Sequence, residues 1–242
     1  MNLAWAAAGA MVGVPIGTVL RSVIFRMSVP SGDPDRTACP RCGAPAALPW
    51  HAVRCRQCGM RLGTPAVVEV VTAAVLALLC GRFAGQPGVL AFGFLGALGV
   101  ALSAIDIAVH RLPDRLTLPA YPVLITLLAV AAATGHDGRA LVRALLGGAV
   151  LATVYLLLAV LRPGQLGGGD VKLAGLAGMV LGWLGWPILF SGAALGFVLL
   201  AVVSLVLLAA RRISLHGAIC FGPFLLGGAL VAVLASGGGA GT

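Results

Sequence analysis

The 242-residue sequence carries little charge. Seven acidic and 16 basic residues make up 10% of the chain, while 60% is hydrophobic. Soluble globular proteins carry about 25% charged residues, so this composition excludes an ordinary soluble fold. A net charge of +9 would suggest nucleic-acid binding in a soluble protein. Here the arginines lie at the ends of apolar runs, which indicates membrane topology and no nucleic-acid partner. The first apolar run lacks the preceding basic segment of a cleavable signal peptide.

Long apolar runs predict an all-α, polytopic membrane bundle of about eight transmembrane helices. Each span needs about 20 apolar residues, or fewer where a segment is kinked or re-entrant. The predicted spans are 3–26, 65–84, 88–109, 117–134, 140–161, 170–185, 187–210 and 218–235. The least distinct boundary is Trp186-Pro187, because proline disfavours helix at the residue before it.

The basic residues predict how the bundle is oriented. If the N-terminus is outside, the three outside arginines are Arg82, Arg139 and Arg143. The twelve inside residues are then Arg26, Arg36, Arg41, Arg54, Arg56, Arg61, Arg111, Arg115, Arg162, Lys172, Arg211 and Arg212. Cytoplasmic loops are enriched in Lys and Arg, so this orientation is favoured. It places residues 28–64 in the cytoplasm and a disordered tail, 236–242, outside.

The segment 28–64 contains two CxxC pairs, Cys39/Cys42 and Cys55/Cys58, and each pair is followed by a glycine. Two such pairs at this spacing predict a structural zinc site with four thiolate ligands. A metal would also allow so short a segment to fold without a large core. Two disulfides are the alternative, and a cytoplasmic location disfavours them.

Two aspartates lie next to long apolar runs, where a carboxylate is energetically unfavourable. Asp106 ends the run Leu90–Ile107, and a carboxylate at membrane depth costs about 2.5–3.5 kcal/mol or more. Such residues are usually functional. The alternative is a helix-end carboxylate that reaches water or pairs with Arg111. We interpret Asp114 as a structural cap of the fourth helix.

Asp170 follows three glycines, Gly167, Gly168 and Gly169, at the start of the sixth helix. Irregular backbone at membrane depth is tolerated where it lines a cavity. The alternative is simple N-capping by Asp170. The nearby Lys172 would bind lipid phosphate or bias the charge of the site.

Asp106 and Asp170 share one predicted depth at the cytoplasmic rim. They can meet if the third and sixth helices pack together, and two carboxylates in one cavity can activate water. The small residues expected to permit that approach are Gly175, Gly178 and Gly182.

Glu69 is a further acid inside an apolar run. Buried charges usually need partners, so we expect an ion pair with Arg21 or Arg26 of the first helix. Its role would be structural or substrate-orienting.

Several motifs occur in a characteristic order. They are the segment 17–26, the two CxxC pairs, Pro65 to Glu69, Ile105-Asp106 with Leu112-Pro113-Asp114, Gly167 to Leu173, and Phe221-Gly222-Pro223. This ordered set resembles the type IV prepilin peptidases, which are GxGD aspartyl proteases of the bacterial cytoplasmic membrane. The resemblance covers nearly the whole chain.

The resemblance implies that Asp106 and Asp170 are the catalytic pair. It implies prepilin or pseudopilin precursors as substrates, each with a short basic leader followed by a hydrophobic helix. Many members with the four-cysteine loop also methylate the new N-terminus with S-adenosylmethionine. The first-helix segment departs from the family pattern at Arg21, Ser22, Met27 and Ser28, which leaves methylation open.

The resulting domain prediction has four parts. Residues 1–27 form the first helix, 28–64 the zinc loop and candidate methyltransferase part, 65–235 the peptidase domain, and 236–242 the tail. Two other functions are alternatives to the peptidase. One is a presenilin-like intramembrane protease, which the cysteine loop fits poorly. The other is a transporter or zinc-sensing membrane protein, which needs neither the GGGD nor the LPD motif.

Overall fold

The computed structural model describes residues 1–30, 33–44, 55–60, 66–161, 166–210 and 220–236, and these ranges contain helices and no strands. The helices are α1 (Leu3–Met27), α2 (Val67–Arg82), α3 (Val89–Val109), α4 (Asp114–Gly135), α5 (Gly138–Leu161), α6 (Gly168–Leu184), α7 (Trp186–Ala209) and α8 (Gly222–Ala235). The predicted all-α bundle of about eight helices is confirmed.

Five of these helices, α1, α3, α4, α5 and α7, are long and apolar enough to cross a membrane. Helices α2 and α6 have 16 and 17 residues. Helix α8 is apolar and has 14 residues. The chain is a multi-pass membrane protein, and its orientation across the membrane stays a prediction.

The start of α4 corrects one prediction. The helix begins at Asp114, three residues earlier than expected, and Pro113 occupies the cap position without a side-chain cap bond. Asp114 is therefore not a cap. It lies in the first turn, where the N-terminal end of the helix dipole favours a negative charge.

Other predicted boundaries shift slightly. Helix α8 begins at Gly222, not 218, because Pro223 suits the first turn of a helix. Pro65 lies outside the described residues, as does most of the predicted tail. The described part of that tail is Ser236, whose carbonyl accepts a hydrogen bond from Arg82.

Helices α1 and α2 pack closely along a stripe of glycines. Gly9, Gly13 and Gly17 are four residues apart and face α2. A Cβ atom at Gly13 would lie 2.5 Å from the Cα of Ala73, so the backbones touch where only glycine fits. One turn further along the stripe is Arg21, which is buried.

Arg21 forms a buried ion pair with Glu69 of α2, and the two side chains are 7% and 11% exposed. Of the two arginines considered as partners for Glu69, Arg21 occupies this position and Arg26 is exposed. The pair lies between helices and therefore fixes the register of α1 against α2.

Removing one member of this pair leaves a buried charge uncompensated. We expect Arg21→Ala to destabilise the protein by about 3–5 kcal/mol. Arg26→Ala, on the same helix but exposed, should change stability by about 0.5 kcal/mol or less. Thermal unfolding in detergent measures both. Equal melting temperatures for the two variants would show that the pair contributes nothing to stability.

The glycine face of α6 packs on α5, which corrects a second prediction. A Cβ at Gly178 would lie 2.6 Å from the Gly147 carbonyl oxygen, and one at Gly182 would lie 3.1 Å from the Gly147 Cα. Gly175 faces Ala152 of α5 and Tyr121 of α4. These glycines therefore do not join α3 to α6.

At the end of the bundle opposite the Arg21–Glu69 pair, arginine side chains donate hydrogen bonds to carbonyls at the C-terminal ends of two helices. Arg82 of α2 donates to the Leu234 and Ser236 carbonyls at the end of α8. Arg143 of α5 donates to the Gly182 and Trp183 carbonyls near the end of α6. Such contacts satisfy carbonyls that lack a helical partner.

Candidate active site and four-cysteine cluster

Asp106 lies in the last turn of α3 and is 6% exposed. Its Oδ2 accepts a hydrogen bond of 3.1 Å from the backbone N–H of Gly222, the first residue of α8. The alternative pairing with Arg111 is not found, since the Arg111 guanidinium donates to the Pro30 carbonyl at 2.8 Å. Among the described residues, the Asp106 carboxylate is therefore held by the Gly222 N–H and not by Arg111.

Gly222 also leaves the space that Asp106 occupies. A Cβ there would lie 2.8 Å from the Asp106 Oδ2. The sequence motif Phe221-Gly222-Pro223 marks a helix start. The motif does not indicate that the Gly222 N–H donates to Asp106, which lies 116 positions earlier. Sequence reasoning therefore missed the role of Gly222 as the donor to Asp106.

Asp170 lies in the first turn of α6, two residues after the helix begins at Gly168. Its Oδ2 accepts from the Gly167 N–H at 3.0 Å, and its own N–H donates to the Gly167 carbonyl at 3.0 Å. Gly167 occupies the cap position, so N-capping by Asp170 is not what the structure contains. The Asp170 carboxylate instead hydrogen-bonds back to the residue that precedes the helix, and Asp170 is partly buried.

Three helix ends bring the two aspartates into one region. Leu112, in the turn between α3 and α4, packs on Gly169, where a Cβ would lie 2.8 Å from the Leu112 Cβ. A Cβ at Gly222 would lie 2.8 Å from the Asp106 Oδ2 and 3.5 Å from the Leu173 Cδ2, so the start of α6 also reaches this region. Gly167 and Gly168 are exposed, and a Cβ at Gly168 would meet no heavy atom within 4 Å. The two aspartates therefore lie beside the exposed backbone of Gly167 and Gly168.

The four cysteines meet in one cluster, with all Sγ atoms within 4.8 Å of one another. The Cys39–Cys58 and Cys42–Cys55 sulfur distances are 3.7 and 3.6 Å. Four thiolates at about 2.3 Å from a tetrahedral metal are about 3.8 Å apart. These distances exceed the S–S bond length of about 2.05 Å, and all four thiols are free. The cluster therefore fits a metal and not two disulfides.

Each CxxC pair has the same backbone geometry. The N–H of Gly43 donates to the Cys39 carbonyl and that of Gly59 to the Cys55 carbonyl, both at 2.9 Å. Gly43 and Gly59 have φ of +68° and +69°, a conformation that favours glycine. This turn explains why a glycine follows each pair.

Backbone amides in these turns favour the thiolate form of Cys39 and Cys55. The N–H groups of Arg41 and Cys42 lower the pKa of Cys39. Those of Cys58 and Gln57 lower the pKa of Cys55 to about 6. Thiolates are the metal-binding form of cysteine.

The chain is similar to known proteins over most of its length. The model of the type IV leader peptidase family matches residues 93–210, a range that contains both aspartates. A prepilin leader peptidase/N-methyltransferase of Burkholderia pseudomallei strain 1026b is 32% identical over 94% of this chain and 75% of its own length. The chain belongs to the type IV leader peptidase family.

Other relatives of the chain carry the same name, prepilin leader peptidase/N-methyltransferase. The protein from Aeromonas salmonicida strain A449 is 31% identical over 82% of this chain and 71% of its own length. The protein from Pseudomonas aeruginosa is 29% identical over the same two shares. No solved structure matches the chain. The resemblance drawn from the ordered motifs is confirmed.

Lys172 forms an ion pair with Asp114 of the Leu112-Pro113-Asp114 segment. Its Nζ lies 2.5 Å from the Asp114 Oδ1, and its carbonyl accepts a 2.8 Å hydrogen bond from the Tyr121 hydroxyl. Both contacts fasten the start of α6 to α4. Lys172 therefore orients the turn that carries Asp170. This role differs from both roles expected from the sequence, which were binding of lipid phosphate and a bias of the charge of the site.

The cysteine segment is attached beside the aspartates. Phe25, near the end of α1, packs against Cys39 and Cys55. Arg115 of α4 pairs with Asp35 at 2.6 Å, and Arg111 holds the Pro30 carbonyl. The segment that leads from α1 into the cluster thus contacts the turn between α3 and α4.

Proposed function

We propose that this chain is a membrane aspartyl endopeptidase that cleaves the basic leader of type IV prepilin or pseudopilin precursors at the cytoplasmic membrane face. Asp106 and Asp170 are its catalytic pair. The observation that carries the proposal is their convergence at one end of the bundle, each held by a backbone N–H. The family match over both residues supports it.

Two carboxylates suffice for hydrolysis of an amide. They share one proton, because two like charges at close range disfavour double ionisation. The ionised carboxylate accepts a proton from water as the water oxygen attacks the scissile carbonyl carbon. The protonated carboxyl donates its proton to the leaving nitrogen as the C–N bond breaks. The pair again holds one proton, now on the carboxylate that accepted it from water.

Rival functions have less support. A presenilin-like protease shares the paired aspartates, but the relatives of this chain are named prepilin leader peptidase/N-methyltransferase. A transporter or zinc sensor requires no convergence of the GGGD and LPD segments.

The test is cleavage of a prepilin-like precursor by the purified protein in proteoliposomes, followed by mass spectrometry. We expect a leader fragment and a mature product cut at one bond before the hydrophobic helix. An intact precursor, in preparations whose helical content and melting temperature are normal, would contradict the proposal.

We propose zinc as the metal of the four-cysteine cluster. Cys39, Cys42, Cys55 and Cys58 form a closed set of four thiolate ligands, which is typical of structural and not catalytic zinc. The metal would stabilise the segment beside the active site and take no part in hydrolysis.

Cys39→Ser is expected to remove most of the zinc from the purified protein, because a hydroxyl binds zinc far more weakly than a thiolate. Elemental analysis of the wild type should give one zinc per chain. The matched control is Cys80→Ser, on α2 and outside the cluster, which should keep it. Wild-type protein without bound metal would refute the zinc assignment.

We further propose that the chain methylates the new N-terminus, with S-adenosylmethionine as donor. The name prepilin leader peptidase/N-methyltransferase of its relatives supports this. The contacts of the 28–64 segment with the peptidase turn would bring a methyl-transfer site close to the product. In the proteoliposome assay, added S-adenosylmethionine should increase the mature product by one methyl group. An unchanged product mass would exclude methylation while leaving the peptidase proposal intact.

The orientation proposed here places the N-terminus outside and the zinc loop in the cytoplasm of a bacterial cell. The ends of α3, α6 and α8 that carry Asp106, Asp170 and Gly222 are then cytoplasmic. A membrane-impermeant thiol reagent should label Cys42, which is exposed, in metal-stripped inverted vesicles but not in intact spheroplasts.

A further inference from the structure

Tyr155 of α5 is fully buried, and its hydroxyl has no hydrogen-bond partner among the described residues. Buried polar side chains nearly always have partners. A hydroxyl left unpaired destabilises the fold, and phenylalanine would fill the same space without that cost. The tyrosine therefore requires an explanation beyond packing.

The packing of α5 against α6 places Tyr155 near Asp170. The helices run antiparallel, with Ala144 beside Gly182 and Ala152 beside Gly175. One turn further along α5, the same register brings Tyr155 level with the first turn of α6. That turn contains Asp170.

The ring of Tyr155 also contacts the segment that holds Asp106. Its centroid lies 5.5 Å from that of Phe221, the residue before Gly222. Phe197 of α7 stacks on Tyr155 at 5.6 Å and lies 5.2 Å from Phe221. The contact with Phe221 places the Tyr155 ring beside the backbone segment that holds Asp106.

We propose that Tyr155 is a positioning residue of the peptidase site, whose hydroxyl donates a hydrogen bond to the Asp170 carboxylate in the substrate-bound state. Asp170 has acceptor capacity for it, because the Gly167 N–H uses one position on Oδ2 and a carboxylate accepts several hydrogen bonds. The bond would orient Asp170 toward the scissile amide. This inference rests on the proposed peptidase function.

The test is Tyr155→Phe, which removes one oxygen atom and keeps the ring. We expect kcat for precursor cleavage to fall about tenfold to a hundredfold, the range for a hydrogen bond to a charged group. KM should stay unchanged, and the melting temperature should stay the same or rise. A structural role would instead lower stability and leave kcat of the folded enzyme unaffected.

The matched control is Phe197→Leu, which disturbs the same aromatic cluster and removes no polar atom. It should lower the melting temperature and keep kcat of the folded fraction close to wild type. Wild-type kcat in Tyr155→Phe would overturn the inference, as would a loss of kcat as large in Phe197→Leu. If Asp170→Asn still cleaves the precursor, it is the peptidase assignment that fails.

Discussion

Replacing Asp106 or Asp170 by asparagine is expected to lower precursor cleavage by about 10²–10⁴-fold or more, because each carboxylate acts as a general acid or base. The fold should persist. An asparagine side-chain oxygen can still accept the N–H of Gly222 at position 106, or that of Gly167 at position 170. Initial cleavage rates in proteoliposomes, with melting temperatures of the same preparations, measure both effects.

The control for these variants is Asp137→Asn. Asp137 accepts the Ala140 N–H at the start of α5, at the opposite end of the bundle from the aspartate pair. Asparagine caps a helix as well as aspartate does, so activity and stability should both remain. Full activity in Asp106→Asn or Asp170→Asn would remove that residue from the catalytic pair.

Gly222→Ala is expected to produce the second largest loss. The added methyl group would lie 2.8 Å from the Asp106 Oδ2, so the carboxylate or the start of α8 must shift. A displacement of about 1 Å at a catalytic group can cost about 100-fold in rate. We therefore expect kcat to fall by about that factor, while the melting temperature changes little.

Gly227→Ala provides the comparison on the same helix. A Cβ at Gly227 would meet the Leu199 Cδ1 at 3.6 Å, which is ordinary contact. Alanine also favours helix over glycine. This variant should cleave at nearly the wild-type rate. Equal rates for Gly222→Ala and Gly227→Ala would show that the space at Gly222 does not matter for Asp106.

Local patterns predicted the elements of this fold well. Apolar runs bounded by proline, glycine and charge indicate helices such as α3 and α5, since each span depends on its own residues. The four-cysteine cluster is similarly local, because each CxxC pair and its glycine determine one turn. The prediction that Asp114 caps α4 was wrong, because Pro113 occupies the cap position.

The partners of each helix could not be predicted in the same way. Gly178 and Gly182 indicate a close approach, but not whether α3 or α5 is the neighbour. The structure pairs them with α5. The contacts of Gly222 with Asp106 and of Leu112 with Gly169 join segments distant in the chain, so no sequence window contains them. That the Tyr155 hydroxyl has no hydrogen-bond partner among the described residues is visible only once α5, α6 and α8 are assembled.

The claim that the two aspartates act as one unit is tested most directly by the cleavage rate of the Asp106→Asn/Asp170→Asn double variant beside the two single variants. Residues that act together are strongly non-additive. We predict that the double variant cleaves the precursor no more slowly than either single variant. A double variant whose loss equals the product of the two single losses would show that the aspartates act independently, and would contradict the account.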